Sequence, residues 1–206
     1  MKKIILSLMT VASLATAGGC VLVQSNDMNV TWKGYKTLAK LGVAGQFTDV
    51  NYSSVAKEGK NFKELLLGSK VSIDLSKIDT HNEGRDATLV SMFFTQLKAK
   101  SIEGEIVSIK ANKHEKGKPY NGVLDVNMTM NKQTLRIPMT YHYEKENFVA
   151  KGIIDLFDFK AKDALSSLNK SCFKKHKGKT WSDVSIEFST TIKASLCDVK
   201  IEEKKK

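Results

Sequence analysis

Beyond residue 20, the sequence has no apolar run long enough to form a transmembrane helix. The N-terminal apolar run, residues 4–14, is itself too short to span a bilayer. Two lysines precede this run, and Ala15-Thr16-Ala17 follows it with the small residues that a signal peptidase recognises. We therefore predict that residues 1–17 are a signal peptide and that the mature chain is exported.

Cysteine is also scarce, since the chain contains only three. Cys20 follows Ala17-Gly18-Gly19, which resembles a bacterial lipobox in which alanine replaces the usual leucine. Signal cleavage after residue 19 with lipidation of Cys20 is therefore the less favoured alternative. Cys172 and Cys197 remain as an even pair in an oxidising compartment, so we predict a disulfide between them.

Motifs for catalysis, metal binding and nucleic-acid binding are absent from the sequence. No nucleophile motif, phosphate loop or paired histidine spacing is present, and His81, Glu83 and Asp86 form the only cluster worth testing. We therefore predict no enzyme, no metal site and no cofactor. The formal net charge is +11, but the lysines are scattered and no aromatic-basic RNA motif accompanies them. A solvated basic surface is favoured over a nucleic-acid partner, and weak attraction to anionic membrane lipid is the alternative.

The sequence does have many segments in which apolar and polar residues alternate. The stretch "LDVNMTM" places Leu124, Val126, Met128 and Met130 on one face, and "TLRIPMTYHY" does the same for residues 135–143. This period of two is typical of antiparallel strands with one buried face. About eight such strands joined by short polar turns predict a single all-β domain, residues 18–206, folded as an eight-stranded antiparallel barrel. Two helices are predicted near residues 85–97 and 160–170.

An eight-stranded barrel encloses either packed side chains or one small apolar ligand. The predicted inward face carries methionines and aromatic residues, which form an adjustable wall for a flexible hydrocarbon chain. The same residues also suit a solid core. Composition alone does not decide between the two interpretations. Without further evidence, the solid core is favoured.

One segment, "IDTHNEGRDATLVSMFF" (residues 78–94), resembles the signature of the YceI-like family. That signature has Asp-Thr at a strand end, an Arg-Asp pair, a leucine and an aromatic pair, here Asp79-Thr80, Arg85-Asp86, Leu89 and Phe93-Phe94. The segments "VTWKGYKTLAKLGVAGQF", "NGVLDVNMTMNKQTLRIPMTY" and "FVAKGIIDLFDF" are similar to the strands of the same family. The resemblance covers roughly residues 27–195.

The resemblance implies a lipocalin-like barrel in the bacterial periplasm that carries an isoprenoid, a fatty acid, a fatty amide or another extended amphiphile in a central cavity. It favours a cavity over a solid core, and it implies no catalytic residues. The expected wall residues are Trp32, Phe47, Phe93, Phe94, Met128, Met139, Phe148 and Phe188, with Tyr35, Tyr141 and Arg85 as contacts at the mouth.

The sequence departs from the family pattern in two places. Many members carry a His-Ser pair near the first strand and a second histidine after it, and neither occurs here. The polar end of the ligand is therefore expected to be held differently. The segment "SLNKSCFKKHKGKTW" is an elaboration found in only some members, so the rim near Trp181 is expected to be particular to this branch.

The polar segment between Thr80 and Asp86 is predicted to connect a strand to a helix. Thr80 and Asp86 are suitable helix caps, and Arg85 is expected to pair with Asp79 or Asp86. We expect this segment to position Phe93 and Phe94 over the barrel mouth.

Three further expectations concern modification and partners. Asn29 and Asn51 lie in Asp-x-Asn-x-Ser/Thr, which resembles the bacterial N-glycosylation acceptor, and glycosylation there depends on the host. A homodimer through the first strands or the helical rim is compatible with the pattern. The alternative to a carrier is a non-enzymatic stress-related or structural periplasmic protein with a solid barrel and a protein partner.

Overall fold

The computed structural model describes residues 21–195, which contain twelve strands, four α-helices and one short 3₁₀ helix. The strands are β1 (Val21–Gln24), β2 (Asn29–Lys36), β3 (Leu41–Phe47), β4 (Val50–Ser53), β5 (Glu58–Gly59), β6 (Lys70–Asp74), β7 (Ile78–Asp79), β8 (Ser101–Ala111), β9 (Tyr120–Met130), β10 (Gln133–Glu144), β11 (Asn147–Asp155) and β12 (Asp183–Ser195). The helices are α1 (Phe62–Leu66), α2 (Glu83–Met92), the 3₁₀ helix (Phe94–Gln96), α3 (Lys162–Ser171) and α4 (Phe173–His176). Within this range no helix is both long and apolar enough to cross a membrane. The signal peptide and the lipobox at Cys20 lie outside the described residues.

The strands form one curled, barrel-like antiparallel sheet. Its strand order is β4-β6-β8-β9-β10-β11-β12-β2-β3-β7. Two short strands lie off this path, since β1 pairs with β12 and β5 pairs with β1. The all-β antiparallel class is confirmed.

The predicted number of eight strands was wrong, because the described residues form twelve strands, several of them short. Only Thr48 and Asp49 separate β3 from β4, and residues 75–77 separate β6 from β7. β3 pairs with β7 and β4 pairs with β6, so these two short segments of chain lie side by side. The alternation of apolar and polar residues continues across such interruptions, so it does not reveal them. β1 and β5 are too short to show any alternation.

The alternation correctly predicted which side chains point into the interior of the curled sheet. Met128 and Met130 of β9 are 8% and 2% exposed, and Met139 of β10 is 4% exposed. Between these inward positions, Arg136 and His142 of β10 are exposed to solvent. Burial of the apolar side chains on one face is therefore the main interaction that fixes the register of these strands.

One end of the sheet, the closed end, is filled by α1 and an aromatic cluster. The ring of Phe62 lies 5.0 Å from that of Tyr143 and 5.3 Å from that of Phe148. The five-residue helix begins at a side-chain cap resembling a capping box. Asn61 Oδ1 accepts from the Glu64 N–H at 2.9 Å, and the Glu64 carboxylate accepts from the N–H of Lys60, the residue before the cap, at 2.9 Å. The cap lets so short a helix form and place Phe62, Leu65 and Leu66 in the core.

The opposite end, the helical end, is covered by α2, α3 and α4. The predicted helix at 85–97 corresponds to α2 with the 3₁₀ helix, and that at 160–170 corresponds to α3, with α4 following it. Asn131, in the β9–β10 turn, accepts from the Lys98 N–H at 2.7 Å and donates to the Phe159 carbonyl at 2.9 Å. This buried amide therefore holds the turn, the chain after α2 and the chain before α3 together.

The segment before α2 differs from the prediction in its cap and in its ion pair. Asn82, rather than Thr80 or Asp86, caps α2 by accepting from the Arg85 N–H at 2.8 Å. Asp86 Oδ1 instead accepts from the Thr80 N–H at 3.1 Å and from the Thr80 hydroxyl at 2.5 Å. Arg85 pairs with neither Asp79 nor Asp86, because Asp86 is directed at Thr80 and Asp79 accepts from the His81 N–H and from Gln46. The connection between strand and helix exists, but a carboxylate and a hydroxyl form it.

Cys172 is buried at the C-terminal end of α3, at the helical end. Its predicted disulfide partner, Cys197, lies outside the described residues, so the disulfide stays a prediction.

Candidate ligand-binding cavity

A cavity of about 420 Å³ lies inside the sheet, between the aromatic cluster of the closed end and the helices of the other end. Its wall is mostly apolar. The strands contribute Val30, Trp32, Val43, Phe47, Val71, Ile73, Ile102, Ile106, Val126, Met128, Met130, Met139, Ile154, Val184, Ile186 and Phe188. Ligand-binding cavities are typically about 300–1,000 Å³, so this one can hold a single elongated apolar molecule.

Trp32 is fixed in the wall by close approach to a glycine. A Cβ atom at Gly45 would lie 2.8 Å from Trp32 Cε2 and 2.9 Å from Thr80 Cγ2, so no side chain fits there. The indole Nε1 is shielded from solvent and has no hydrogen-bond partner among the described residues. Trp32 thus contributes an apolar surface together with one N–H that a ligand can satisfy.

The helical end of the cavity is polar and basic. Lys36, at the end of β2, shares the inward face of that strand with Trp32, and it is half-buried. Arg85 of α2 and Lys175 of α4 also line the cavity there. None of these three cations forms an ion pair with a carboxylate in the described part of the chain. The cavity therefore has one end at which positive charge is uncompensated.

The carboxylates that border the cavity point away from it. Glu103 and Glu105 alternate with the inward residues of β8, so their side chains lie on the outer face. There Glu103 accepts from Ser72 at 2.8 Å, Glu105 lies 3.8 Å from Lys70, and Glu187 lies 2.9 Å from Lys151. These carboxylates do not neutralise the cations at the mouth.

Most of the residues expected at a ligand site line this cavity. They are Trp32, Tyr35, Phe47, Arg85, Phe93, Phe94, Met128, Met139 and Phe188. Tyr141 and Phe148 do not line it, because they stack on each other at 4.9 Å within the aromatic cluster of the closed end. The sequence did not predict Lys36, Cys172 or Lys175, which also line the cavity, and it placed Trp181 only near the rim. The elaborated segment that contains Cys172, Lys175 and Trp181 was the one signal for these residues.

Tyr141 and Tyr143 differ in how their hydroxyl groups are satisfied. The Tyr143 hydroxyl donates to the Ile192 carbonyl at 2.8 Å, whereas the Tyr141 hydroxyl is buried with no partner among the described residues. Burial raises the pKa of Tyr141 above its ordinary value. Burial, with Glu146 and Tyr120 nearby, also raises the pKa of Tyr143. Both side chains are part of the core of the closed end.

His81, Glu83 and Asp86, the cluster considered from the sequence, are not arranged for catalysis. His81 is exposed and lies 3.3 Å from Asp79, while Asp86 is bonded to Thr80. Across residues 21–195, no group of three or more His, Cys, Asp or Glu side chains is arranged to hold a metal ion. The apolar cavity with its basic mouth is the feature of the molecule best suited to bind a ligand.

Family comparison agrees with this architecture. A sequence model described as the YceI-like domain matches residues 22–192, most of the chain. The chain belongs to the YceI-like family. No curated protein matches the sequence.

Several solved structures are similar to this YceI-like chain. One is described as a polyisoprenoid binding domain from Saccharophagus degradans implicated in plant cell wall breakdown; it is 9% identical, covers 85% of this chain and 98% of its own, and has a TM-score of 0.54. The Campylobacter jejuni YCEI protein is 20% identical, covers 74% and 85%, and has a TM-score of 0.49. Burkholderia cenocepacia BcnA is 13% identical, covers 81% and 96%, and has a TM-score of 0.48. At 9% identity, the likeness to the Saccharophagus degradans domain concerns the fold alone.

Proposed function

We propose that this protein is a periplasmic carrier that encloses the tail of one long-chain amphiphile in its cavity. The observation that carries the proposal is the apolar cavity of about 420 Å³ with a basic mouth at one end. Each buried methylene contributes about 0.8 kcal/mol, so an extended hydrocarbon chain binds there without many polar contacts. The Saccharophagus degradans structure, described as a polyisoprenoid binding domain, supports a ligand of the same general class.

The wall chemistry supports a ligand of variable shape. Met128, Met130 and Met139 line the cavity, and methionine side chains adapt to irregular apolar surfaces. Such a wall selects by length and branching, which is compatible with an isoprenoid, a fatty acid or a fatty amide. The wall itself offers no means of bond cleavage, so we propose binding and transport rather than catalysis.

The mouth supports an anionic or strongly hydrogen-bonding head group. Lys36 and Arg85 line it without ion-pair partners among the described residues. A carboxylate or phosphate at this position forms charge-assisted hydrogen bonds, which are about twice as strong as neutral ones. We therefore place the tail toward the aromatic cluster and the head between α2 and α4.

The alternative, a solid barrel with a protein partner, predicts that the inward methionines and aromatic rings pack on one another. That packing occurs around Phe62 and Phe148, whereas Met128, Met139 and Phe47 border open space. The cavity therefore favours the carrier.

Native mass spectrometry on protein purified from its host, followed by organic extraction, tests the proposal. We expect a bound mass of a few hundred daltons that is released on unfolding. Met139→Gln places an amide in the wall, and its desolvation by a hydrocarbon costs about 1–3 kcal/mol. This variant is expected to retain the ligand poorly, whereas Met92→Gln, on α2 outside the cavity, is expected to retain it. Equal retention by both variants, or no ligand in the wild type and no uptake of an added long-chain fatty acid, would contradict the carrier.

A further inference from the structure

Four large apolar side chains are exposed around the mouth of the cavity. Leu38 is 85% exposed at the tip of the β2–β3 turn, and Phe173 is 65% exposed on α4. Leu41 is 56% exposed and Phe157 is 50% exposed. We call Leu38, Leu41, Phe157 and Phe173 the apolar rim. Isolated exposed apolar residues are common, but a group of them around one opening is characteristic of an interaction surface.

Hydrogen bonds hold the three segments of the apolar rim at the same end of the sheet. The Thr37 N–H donates to the Lys179 carbonyl at 2.9 Å, and Trp181 Nε1 donates to the Thr37 carbonyl at 2.7 Å. These bonds join the β2–β3 turn to the chain after α4. The Leu156 N–H donates to the Ser182 carbonyl at 2.9 Å, which joins the turn carrying Phe157 to the same chain.

The same end carries a run of positive charge. Between Asp163 and Asp183 the sequence has five lysines and no acidic residue, and these lysines surround Phe173. Lys174, Lys175 and Lys177 are exposed, and Lys179 lies over the Trp181 ring at 4.1 Å. Lys40, beside Leu38 and Leu41 in sequence, lies 4.5 Å from the same ring and is also paired with Asp183.

Apolar side chains surrounded by lysines suit an anionic lipid surface better than a protein partner. Lysine is depleted at the centres of protein–protein interfaces. At an anionic membrane, each nearby lysine contributes through attraction to lipid head groups, while aromatic and leucine side chains enter the interface. The flexible lysine stems allow the apolar rim to reach the acyl boundary with the ammonium groups at head-group depth.

We propose that the apolar rim and the lysines of α4 dock this protein on an anionic phospholipid surface, with the cavity mouth facing the lipid. In this orientation Phe173 and Leu38 enter the interface beside the mouth. A long-chain ligand then moves between bilayer and cavity without exposing its tail to water. The docking itself is independent of the cavity ligand, and only this role in transfer rests on the proposed function.

Vesicle flotation with the mature chain tests the docking, comparing phosphatidylcholine vesicles with vesicles that also contain phosphatidylglycerol. We expect binding only to the anionic vesicles, weakened at high salt. The double variant Leu38→Ser/Phe173→Ser and the double variant Lys174→Glu/Lys177→Glu should each reduce binding by at least about tenfold. None of these four side chains lines the cavity, so uptake of a fatty acid in the absence of vesicles should be unchanged.

Matched controls place the same changes elsewhere on the molecule. Ile153→Ser removes a side chain that is 68% exposed on β11, and Lys113→Glu/Lys116→Glu reverses two exposed lysines in the β8–β9 turn at the closed end. Both controls should bind anionic vesicles like the wild type. If the rim and control variants lose vesicle binding equally, the loss is due to net charge or general hydrophobicity, and the proposal is overturned. Self-association that is abolished by Leu38→Ser/Phe173→Ser, without vesicle binding by the wild type, would assign the surface to a homodimer instead.

Discussion

The Trp32 indole occupies the space that a side chain at Gly45 would need. Trp32 and Gly45 are paired residues on β2 and β3, and a Cβ at Gly45 would lie 2.8 Å from Trp32 Cε2. Since Trp32 lines the cavity, the absence of a side chain at Gly45 determines how far the indole extends into it. The glycine in the Val43-x-Gly45-x-Phe47 pattern is therefore required for packing and for the shape of the cavity.

Gly45→Ala should push the indole into the cavity. We expect a loss of about 1–3 kcal/mol in the free energy of unfolding, as for other overpacked sites, together with reduced capacity for long-chain ligands. Gly34→Ala is the control for stability, because its Cβ would meet only Trp32 Cζ3, at 3.9 Å, although Gly34 also lines the cavity. Chemical denaturation and titration with a fluorescent fatty acid would measure both effects. Wild-type stability and binding in Gly45→Ala would show that the indole can relax elsewhere.

The cations of the mouth should distinguish a charged head group from a neutral one. Arg85→Gln and Lys36→Gln are each expected to weaken binding of a long-chain fatty acid by about 1 kcal/mol, roughly fivefold, because each removes a charge that faces the head. Binding of the fatty amide of the same length should change little. Competition with a fluorescent probe at low and high salt would measure the difference.

Arg136→Gln is the control for these charge changes, since Arg136 lies on the outer wall and bonds Asp125 at 2.7 Å. It should affect neither ligand. If binding of the fatty acid and binding of the fatty amide weaken equally in Arg85→Gln and Lys36→Gln, these side chains support the structure of the mouth and do not bind an anion.

The sequence predicted the faces of the strands better than their positions along the barrel axis. Alternation assigned Met139, Tyr141 and Phe148 to the interior, and all three are buried. A period of two does not tell which end of the interior a residue reaches. Phe148 was therefore assigned to the cavity wall and Tyr141 to its mouth, although both pack against Phe62 of α1 at the closed end. With only five residues, α1 is too short for a helical period to be visible.

The charged mouth was only partly predictable for a related reason. Lys36 occupies an inward position of β2, where alternation predicts an apolar residue, and it is tolerated because β2 ends at the mouth. Arg85 was predicted at the mouth from the family resemblance, but its expected partner Asp86 bonds Thr80 instead. Which of several nearby polar side chains pair depends on distances that sequence spacing does not supply.

The two neighbouring tyrosines at the closed end should respond oppositely to loss of the hydroxyl. Tyr143→Phe removes the bond to the Ile192 carbonyl and should cost about 1 kcal/mol of stability. Tyr141→Phe removes a buried hydroxyl without a partner and should leave stability unchanged or raise it by up to about 1 kcal/mol. Urea denaturation at neutral pH measures both. A large loss in Tyr141→Phe would indicate a buried water bonded to this hydroxyl.

The raised pKa of Tyr141 also predicts alkaline sensitivity. Folding disfavours the phenolate, so the stability linked to this group is complete below the unfolded-state pKa of about 10 and falls as pH rises from there through the raised folded-state pKa. Tyr141→Phe should reduce the slope of stability against pH in that window. An unchanged slope would assign the sensitivity to Tyr143 or to lysine deprotonation.

The bond between Thr80 and Asp86 should control how firmly α2 covers the cavity. Asp86 Oδ1 accepts two hydrogen bonds from Thr80, and Thr88 and Leu89 of the same helix line the cavity. Asp86→Ala removes both bonds and should cost about 1–3 kcal/mol, with faster amide exchange in α2 and faster ligand release. Asp86→Asn keeps an oxygen that can accept both bonds, so it should retain most of the stability. Hydrogen exchange and stopped-flow release of a fluorescent fatty acid separate the two effects. Destabilisation without faster release would mean that the ligand leaves the cavity by a route that does not require α2 to move.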